Sequence, residues 1–182
     1  PGAYRKAARL VRLAAHLEMP VVSLIDAPHD PSDAAGAAMA LSSFLGEVSQ
    51  APVPLVSVAL GECGGAAAFP FLIADRLLVQ EHALVTMPQA ENAATARDCL
   101  RWGIADAIVR EPGEGAHEDR RAAANQLEIG ISNALAELSA MGQRRLLDER
   151  GRRLRTLGMA SAEGRESVNV EIRELPEWQK LV

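Results

Sequence analysis

Aromatic side chains are scarce in this sequence: they make up 3% of its 182 residues, while 48% of the residues are hydrophobic. Ala, Leu and Val must fill the interior, which favours helices packed closely on strands over an aromatic-rich β-sandwich. Cysteine is nearly missing as well. Cys63 and Cys99 are too few for a disulfide framework or a four-thiolate zinc site. A basic excess is lacking, and the formal net charge of −5 argues against nucleic acid as a partner. No apolar run approaches the length of a membrane span and no signal-peptide pattern opens the chain, so a cytoplasmic protein with no membrane partner is expected. The length and apolar content that are present suffice for one ordinary core.

Apolar spacing gives the element order. Ala7, Leu10, Val11, Ala14 and Leu17 form one helical stripe between Ala3 and Leu17, with Arg5, Lys6, Arg9 and Arg12 largely off it. The β-branched run after Pro20 predicts a buried strand, ended by the APHDPSD loop. A helix is predicted from Ala34 to Val48 with Asp33 as its cap, then a strand from Pro54 to Leu60. A short helix follows, ended or kinked at Pro70. RLLVQ and ALVTM read as strands, Glu91 to Trp102 as a helix, and ADAIV as a strand. Two helices close the pattern, near Asp119 to Ser139 and Gln143 to Leu157. Strands that are apolar throughout and alternate with helices indicate an α/β fold with a mostly parallel, helix-covered sheet. In the tail, Val168, Val170 and Ile172 alternate with Asn169, Glu171 and Arg173, the pattern of an edge strand or of a segment laid on a partner.

The chemistry is concentrated in PLVSVALGECGGAAAFPFLIAD, Pro54 to Asp75, where an apolar strand runs through Gly61, Cys63, Gly64 and Gly65 into a helix of small residues. A helix start leaves several N–H groups unpaired at the positive end of the helix dipole, which suits a developing negative charge. A lone Gly-Gly pair is more often only a tight connection. Here the turn lies at the carboxyl end of a strand, where open α/β sheets place ligands, and Ala66, Ala67 and Ala68 let a ligand approach the backbone. GECGGA lacks the GxGxxG spacing and the P-loop lysine, so an oxyanion hole is preferred over nucleotide binding. Cys63 is read as a small residue in a crowded turn rather than a nucleophile, and His16, His29, His82 and His117 as solvated. No Ser/His/Asp or Cys/His arrangement is defensible from spacing. The arginines from Arg144 to Arg155 read as the solvated face of a helix, with a phosphate-rich ligand such as coenzyme A as the sharper alternative.

The order of YRKAARLVRLA, PVVSLIDAP, PVPLVSVALGECGGAAAF, ADRLLVQEHALVTM, GIADAIVREPGEGAH and RRLRTLG resembles the α-type carboxyltransferase subunit of acetyl-CoA carboxylase and the matching half of fused acyl-CoA carboxylases. The likeness covers most of Tyr4 to Gly158 in collinear order. It implies the ClpP/crotonase superfold, a spiral of ββα units with C-terminal helices. The family's earlier strands lie upstream of Tyr4, so an N-terminally abbreviated version is expected, with a carboxyltransferase domain over 1–158 and a tail over 159–182. It also implies carboxyl transfer from carboxybiotin to acetyl-CoA or a related acyl-CoA through an amide-stabilised enolate. No cofactor is expected on this chain itself; carboxybiotin on a carrier protein and acyl-CoA are substrates. The implied partners are a β-type carboxyltransferase subunit, the biotin carboxyl carrier protein and biotin carboxylase.

By the same resemblance the donors are Gly64, Gly65, Ala66 and Ala67, with Glu62, Asp26 and Pro28 on the substrate side. The family's Gly-Gly pair falls on Ala66 and Ala67. The loop after Pro28 and the region after Met87 differ from the family's longer segments. Two alternatives stand beside this reading: a catalytically degenerate crotonase-fold scaffold that stabilises an active homologue, and another acyl-CoA decarboxylase or hydratase. Hydration needs carboxylates over the thioester, for which Glu62, Asp26 or Glu91 are the residues on offer.

Overall fold

The computed structural model describes residues 2–28, 38–86 and 93–157; for Ala66 and Ala67 only the backbone is described. His29, Asp33, Glu91 and the tail lie outside those residues. Helix α1 spans Gly2–His16, but its buried face is Tyr4, Ala8 and Val11. Leu10 and Leu17, expected inside, are exposed. The cause is an aromatic relay: the Tyr4 ring stacks on Phe44 at 6.2 Å, and Phe44 meets Phe71 at 5.1 Å. With Tyr4 turned inward and small Ala8 beside it, the helix settles on α2 (Ala38–Gln50) through a face rotated away from the leucines.

Strand β1 (Val21–Ala27) lies parallel to β2 (Leu55–Gly64), in register from Val21 with Leu55 to Ile25 with Ala59. The strand expected to stop at Leu60 runs on through the glycines to Gly64. Its first half pairs on the other side with β3 (Arg76–Gln80), and its last three residues pair with β4 (Leu84–Thr86). The chain leaving β3 thus turns at Glu81–Ala83 and rejoins the same long strand further along. This step turns a flat sheet into a spiral of ββα units, as expected. Helix α3 (Gly65–Leu72) leaves β2 directly and contains Pro70 rather than ending at it. Strand β5 (Ala94–Thr95) is antiparallel to β4, and β6 (Ala107–Val109) is parallel to β3. Helix α4 starts at Ala96 rather than near Glu91, because Thr95 and Asp98 form a capping box: the Thr95 hydroxyl accepts from Asp98 N–H while the Asp98 carboxylate accepts from Thr95 N–H.

Side-chain alternation along β2 divides the core. Leu55 faces α1 and α2, whereas Val56 and Val58 meet Leu78, Val109, Ala134, Leu138 and Leu146 beneath α5 (Arg120–Ser139) and α6 (Gln143–Thr156). Strand β1 departs from the expectation of strands buried on both faces. Val22 and Leu24 alternate outward to solvent.

One device recurs at the strand starts. Asp75, just ahead of β3, donates its N–H to Leu55 O at 2.9 Å and accepts Leu55 N–H at 2.8 Å on its carboxylate. Asp106, just ahead of β6, repeats the exchange with Leu77 at 2.8 and 2.7 Å. Helix α6 holds both carboxylates. Arg150 makes a bidentate pair with Asp75 at 2.8 and 2.7 Å, and Arg153 reaches Asp106 at 2.7 Å. The remaining Arg150 donors go to the carbonyls of Val48, Ala51 and Val53, so a guanidinium 1% exposed is fully used. This corrects the solvated-face expectation for Arg150 and Arg153: the stripe that buries Leu146 carries them into the protein.

Candidate active site

The junction of β2 and α3 is built from glycines placed by their surroundings. Strand β1 is irregular between Ile25 and Ala27, and this turns Asp26 onto the end of β2. Its Oδ1 accepts the Glu62 N–H at 3.2 Å. A Cβ on Gly61 would lie 2.7 Å from that oxygen, so a side chain there would push the carboxylate off its present position. Gly64 is extended, caps α3 and offers no side chain to its amides, and Gly65 has φ of 64°, in the left-handed region that glycine enters freely. The first-turn amides from Gly65 to Ala67 therefore leave the helix without intrahelical acceptors.

Of the seven residues singled out, Gly64, Gly65, Ala66 and Ala67 form this one continuous turn, and Asp26 supports it through Glu62 N–H. The Glu62 side chain points to solvent, and Pro28 is exposed just beyond β1. Cys63 is fully buried and donates its thiol to Ile25 O at 3.1 Å. Burial pushes its pKa up, and the charges of Asp26 and Glu62 push the same way, so the thiol is no nucleophile. Those two carboxylates also oppose a multiply charged phosphate at the turn, while leaving room for an oxygen that gains charge only transiently.

A cleft of about 500 Å³ lies at the opposite end of the sheet, among Arg76, Asp106, Arg152 and Arg153. Each of these arginines is paired with a carboxylate: Arg76 with Glu137, Arg152 with Glu149, Arg153 with Asp106. Coenzyme A phosphates find no unpaired cation among them. Around His82, the buried Glu111 carboxylate accepts His82 N–H at 2.9 Å and Ala116 N–H at 3.0 Å. It ties the β3–β4 turn to the loop after β6. Sequence reasoning assigned no role to Glu111, Asp75 or Asp106, although the repeated Ala-Asp immediately before an apolar strand, at Ala74-Asp75 and Ala105-Asp106, marks two of them.

The family described as acetyl co-enzyme A carboxylase carboxyltransferase-like matches this chain over residues 1–96 and 88–158. The chain belongs to that family. It is 33% identical over 182 residues to the acetyl-coenzyme A carboxylase carboxyl transferase subunit alpha of Heliobacterium modesticaldum, covering 87% of this chain and 54% of that protein. With the fused beta/alpha subunits of Parafrankia it shares 34% over 187 residues, 90% of this chain and 30% of that protein. The chain thus spans about half the length of the α subunit and about a third of the fused protein. The structure resembles a Pseudomonas malonate decarboxylase hetero-tetramer solved with malonate, with a TM-score of 0.68 at 15% identity over 92% of this chain and 73% of that one. A probable enoyl-CoA hydratase from Mycobacterium smegmatis gives 0.63 at 15% identity, over 92% and 80%. This carboxyltransferase-like chain therefore has the crotonase fold expected from its sequence.

Proposed function

We propose that the chain is the α-type carboxyltransferase component of a biotin-dependent acyl-CoA carboxylase, active in the cytoplasm. The observation that carries the proposal is the uncapped first turn of α3, its amides offered at the carboxyl end of β2 with Gly65 in the left-handed region. Family membership supplies the reaction class, and the chemistry suits it. Transfer of a carboxyl group from carboxybiotin, a substrate here, to the α-carbon of acetyl-CoA or a related acyl-CoA develops charge on carbonyl oxygens. N–H donors stabilise that charge without any side-chain nucleophile. Gly64, Gly65, Ala66 and Ala67 hold the oxygen, Asp26 fixes the turn through Glu62 N–H, and Glu62 and Pro28 border the approach. A β-type subunit supplies the acyl-CoA side, and the biotin carboxyl carrier protein and biotin carboxylase deliver the carboxyl group.

The test is reconstitution. The native full-length chain, its β-type subunit and carboxylated carrier are mixed with acetyl-CoA or propionyl-CoA, and carboxylated product is measured by mass spectrometry. Turnover that depends on this chain is expected, and Gly65→Val should lower kcat at least tenfold with the complex intact. Absence of product from an assembled complex with both substrates sinks the proposal.

A further inference from the structure

The end of β2 has two edges. On one of them the Asp26 carboxylate accepts the Glu62 N–H at 3.2 Å. On the other, Glu62, Cys63 and Gly64 pair with Leu84, Val85 and Thr86 of β4. A strand of three residues makes few ladder bonds of its own, so the turn that delivers it fixes its register. The register matters here, because Val85 is buried and Leu84 alternates to solvent. A slip of one residue would exchange them. The turn at residues 81–83 is closed on itself by Ala83 N–H, which donates to Gln80 O at 3.0 Å.

Glu111 anchors that turn from outside. Strands β2, β3 and β6 are parallel, so the residues after Gln80 and Val109 emerge on the same side of the sheet as Gly64. Glu81 N–H donates to Val109 O at 2.9 Å, and Glu111 N–H donates to Glu81 Oε2 at 3.4 Å. The Glu111 side chain, 7% exposed, then uses both oxygens on main chain: Oε2 accepts His82 N–H at 2.9 Å and Oε1 accepts Ala116 N–H at 3.0 Å. His82 Nδ1 lies 3.3 Å from the same Oε2. The loop that carries Ala116 is closed by Gly115 N–H donating to Pro112 O at 3.0 Å and Glu118 N–H to Gly115 O at 3.1 Å, and it ends on the Asp119 cap of α5. Bonds from N–H groups to a charged carboxylate are the strong ones, and a buried carboxylate without them is costly, so this clamp is firm. A single residue, Ala83, separates the His82 amide from β4. Contacts therefore run from the start of α5 through Glu111 to the turn, to β4 and to the last residues of β2.

We propose that Glu111 is a positioning residue for the first-turn amides of α3: it holds the β3–β4 turn so that β4 keeps Glu62, Cys63 and Gly64 in place, as Asp26 does from the opposite edge. In this role Glu111 acts through main chain and not on substrate. The role rests on the carboxyltransferase reading for the reaction those amides serve; the mechanical link from Glu111 to Gly64 does not. Small displacements suffice, because misplacing reacting groups by about 1 Å can cost about a hundredfold in rate. The loss falls on kcat rather than KM where the donors meet charge that forms only in the transition state.

The experiment compares Glu111→Gln with Asp119→Ala in the native full-length chain. Glutamine keeps the size of the side chain and one acceptor oxygen, and turns an NH2 group towards one of the two N–H donors. Asp119→Ala loosens the same loop at its far end by removing the cap of α5, away from the turn. Hydrogen exchange, followed by mass spectrometry, should speed at least about threefold over residues 62–64 and 84–86 in Glu111→Gln and stay unchanged there in Asp119→Ala. In the complex reconstituted with its β-type subunit and carboxylated carrier, Glu111→Gln should lower kcat at least about fivefold with KM for acetyl-CoA within about twofold of the native value, and Asp119→Ala should leave both within about twofold. Glu111→Asp, one methylene shorter, should give the same pattern in smaller measure and takes the place of Glu111→Gln if that variant does not fold. Unchanged exchange over 62–64, an equal loss of kcat from Asp119→Ala, or a change confined to KM each overturn the proposal. No product from the native complex, with the exchange difference present, sinks the carboxyltransferase reading and leaves the link from Glu111 to the turn. Product without the exchange difference does the reverse.

Discussion

Gly61 and Gly65 occupy the same turn for different physical reasons, and substitution separates them. At Gly65 the obstacle is the backbone itself: with φ of 64°, any Cβ costs about 1–2 kcal/mol. At Gly61 the obstacle is a neighbour, the Asp26 oxygen 2.7 Å from the missing Cβ. Gly61→Ala should therefore displace the Asp26 carboxylate from Glu62 N–H and cost more stability when Asp26 is present than when it is Ala. The expected coupling exceeds about 0.5 kcal/mol in a denaturant double-mutant cycle, and additive costs would show that the carboxylate is not the obstacle. Cysteine burial gives a pH test. Burial pushes the Cys99 thiol up to about 11 from 9.0, so the folded state keeps a proton that the unfolded chain releases first. Stability is unaffected by this group below pH 9 and falls as pH rises from 9 towards 11. Cys99→Ala should flatten that part of the stability curve, and native Cys63 and Cys99 should both resist alkylation at pH 8. Rapid labelling of the folded chain would refute their burial.

Element positions were legible wherever periodicity alone decides them. The striped helix from Asp119 to Ser139 is found as α5, with the Asp119 carboxylate accepting from Arg121 N–H and Ala122 N–H as its cap. Periodicity could not choose between two apolar faces on α1, because the decision belongs to Phe44 and Phe71, which are distant in sequence. It also could not show β2 continuing past Leu60, since the glycines there are held in a strand by β4 and by the Asp26 carboxylate of β1. The turn itself was visible as a motif; its supports were not, because Asp26 and Gly61 become neighbours only after β1 pairs. The start of α4 is a local matter, and its capping box has a titratable member. Hydrogen bonds from Thr95 hold the Asp98 carboxyl below its ordinary value, with Arg101 adding to the effect. Its contribution is present above the unfolded value near 3.8 and is lost as pH falls through the lowered folded value. Thr95→Ala should move the Asp98 titration, followed by carboxyl NMR, back towards that value. An unchanged titration would mean that Arg101 rather than the box sets it.

At the scale of the whole molecule, α6 decides whether the layers hold as one unit. Arg150 joins the end of α2, the loop before β2 and the start of β3 through five hydrogen bonds, all in the interior. A buried ion pair is not intrinsically a large stabiliser, because both charges lose their hydration, yet removing one partner leaves the other charged and dry. Arg150→Met should therefore cost about 3–5 kcal/mol, a large share of the roughly 5–15 kcal/mol that keeps a domain folded. The neighbouring charge explains the cost only if neutralising it helps. Asp75→Leu is a poor choice, since the carboxylate also accepts Leu55 N–H at the start of β2. Asp75→Asn removes the charge and keeps an acceptor for that amide. Measured by urea unfolding, the chain with Arg150→Met and Asp75→Asn together should be more stable than the chain with Arg150→Met alone. If the double variant is no better, the loss comes instead from the abandoned carbonyls of Val48, Ala51 and Val53. In that case α6 holds the fold by hydrogen-bonding the backbone ahead of β2, not by balancing a buried carboxylate.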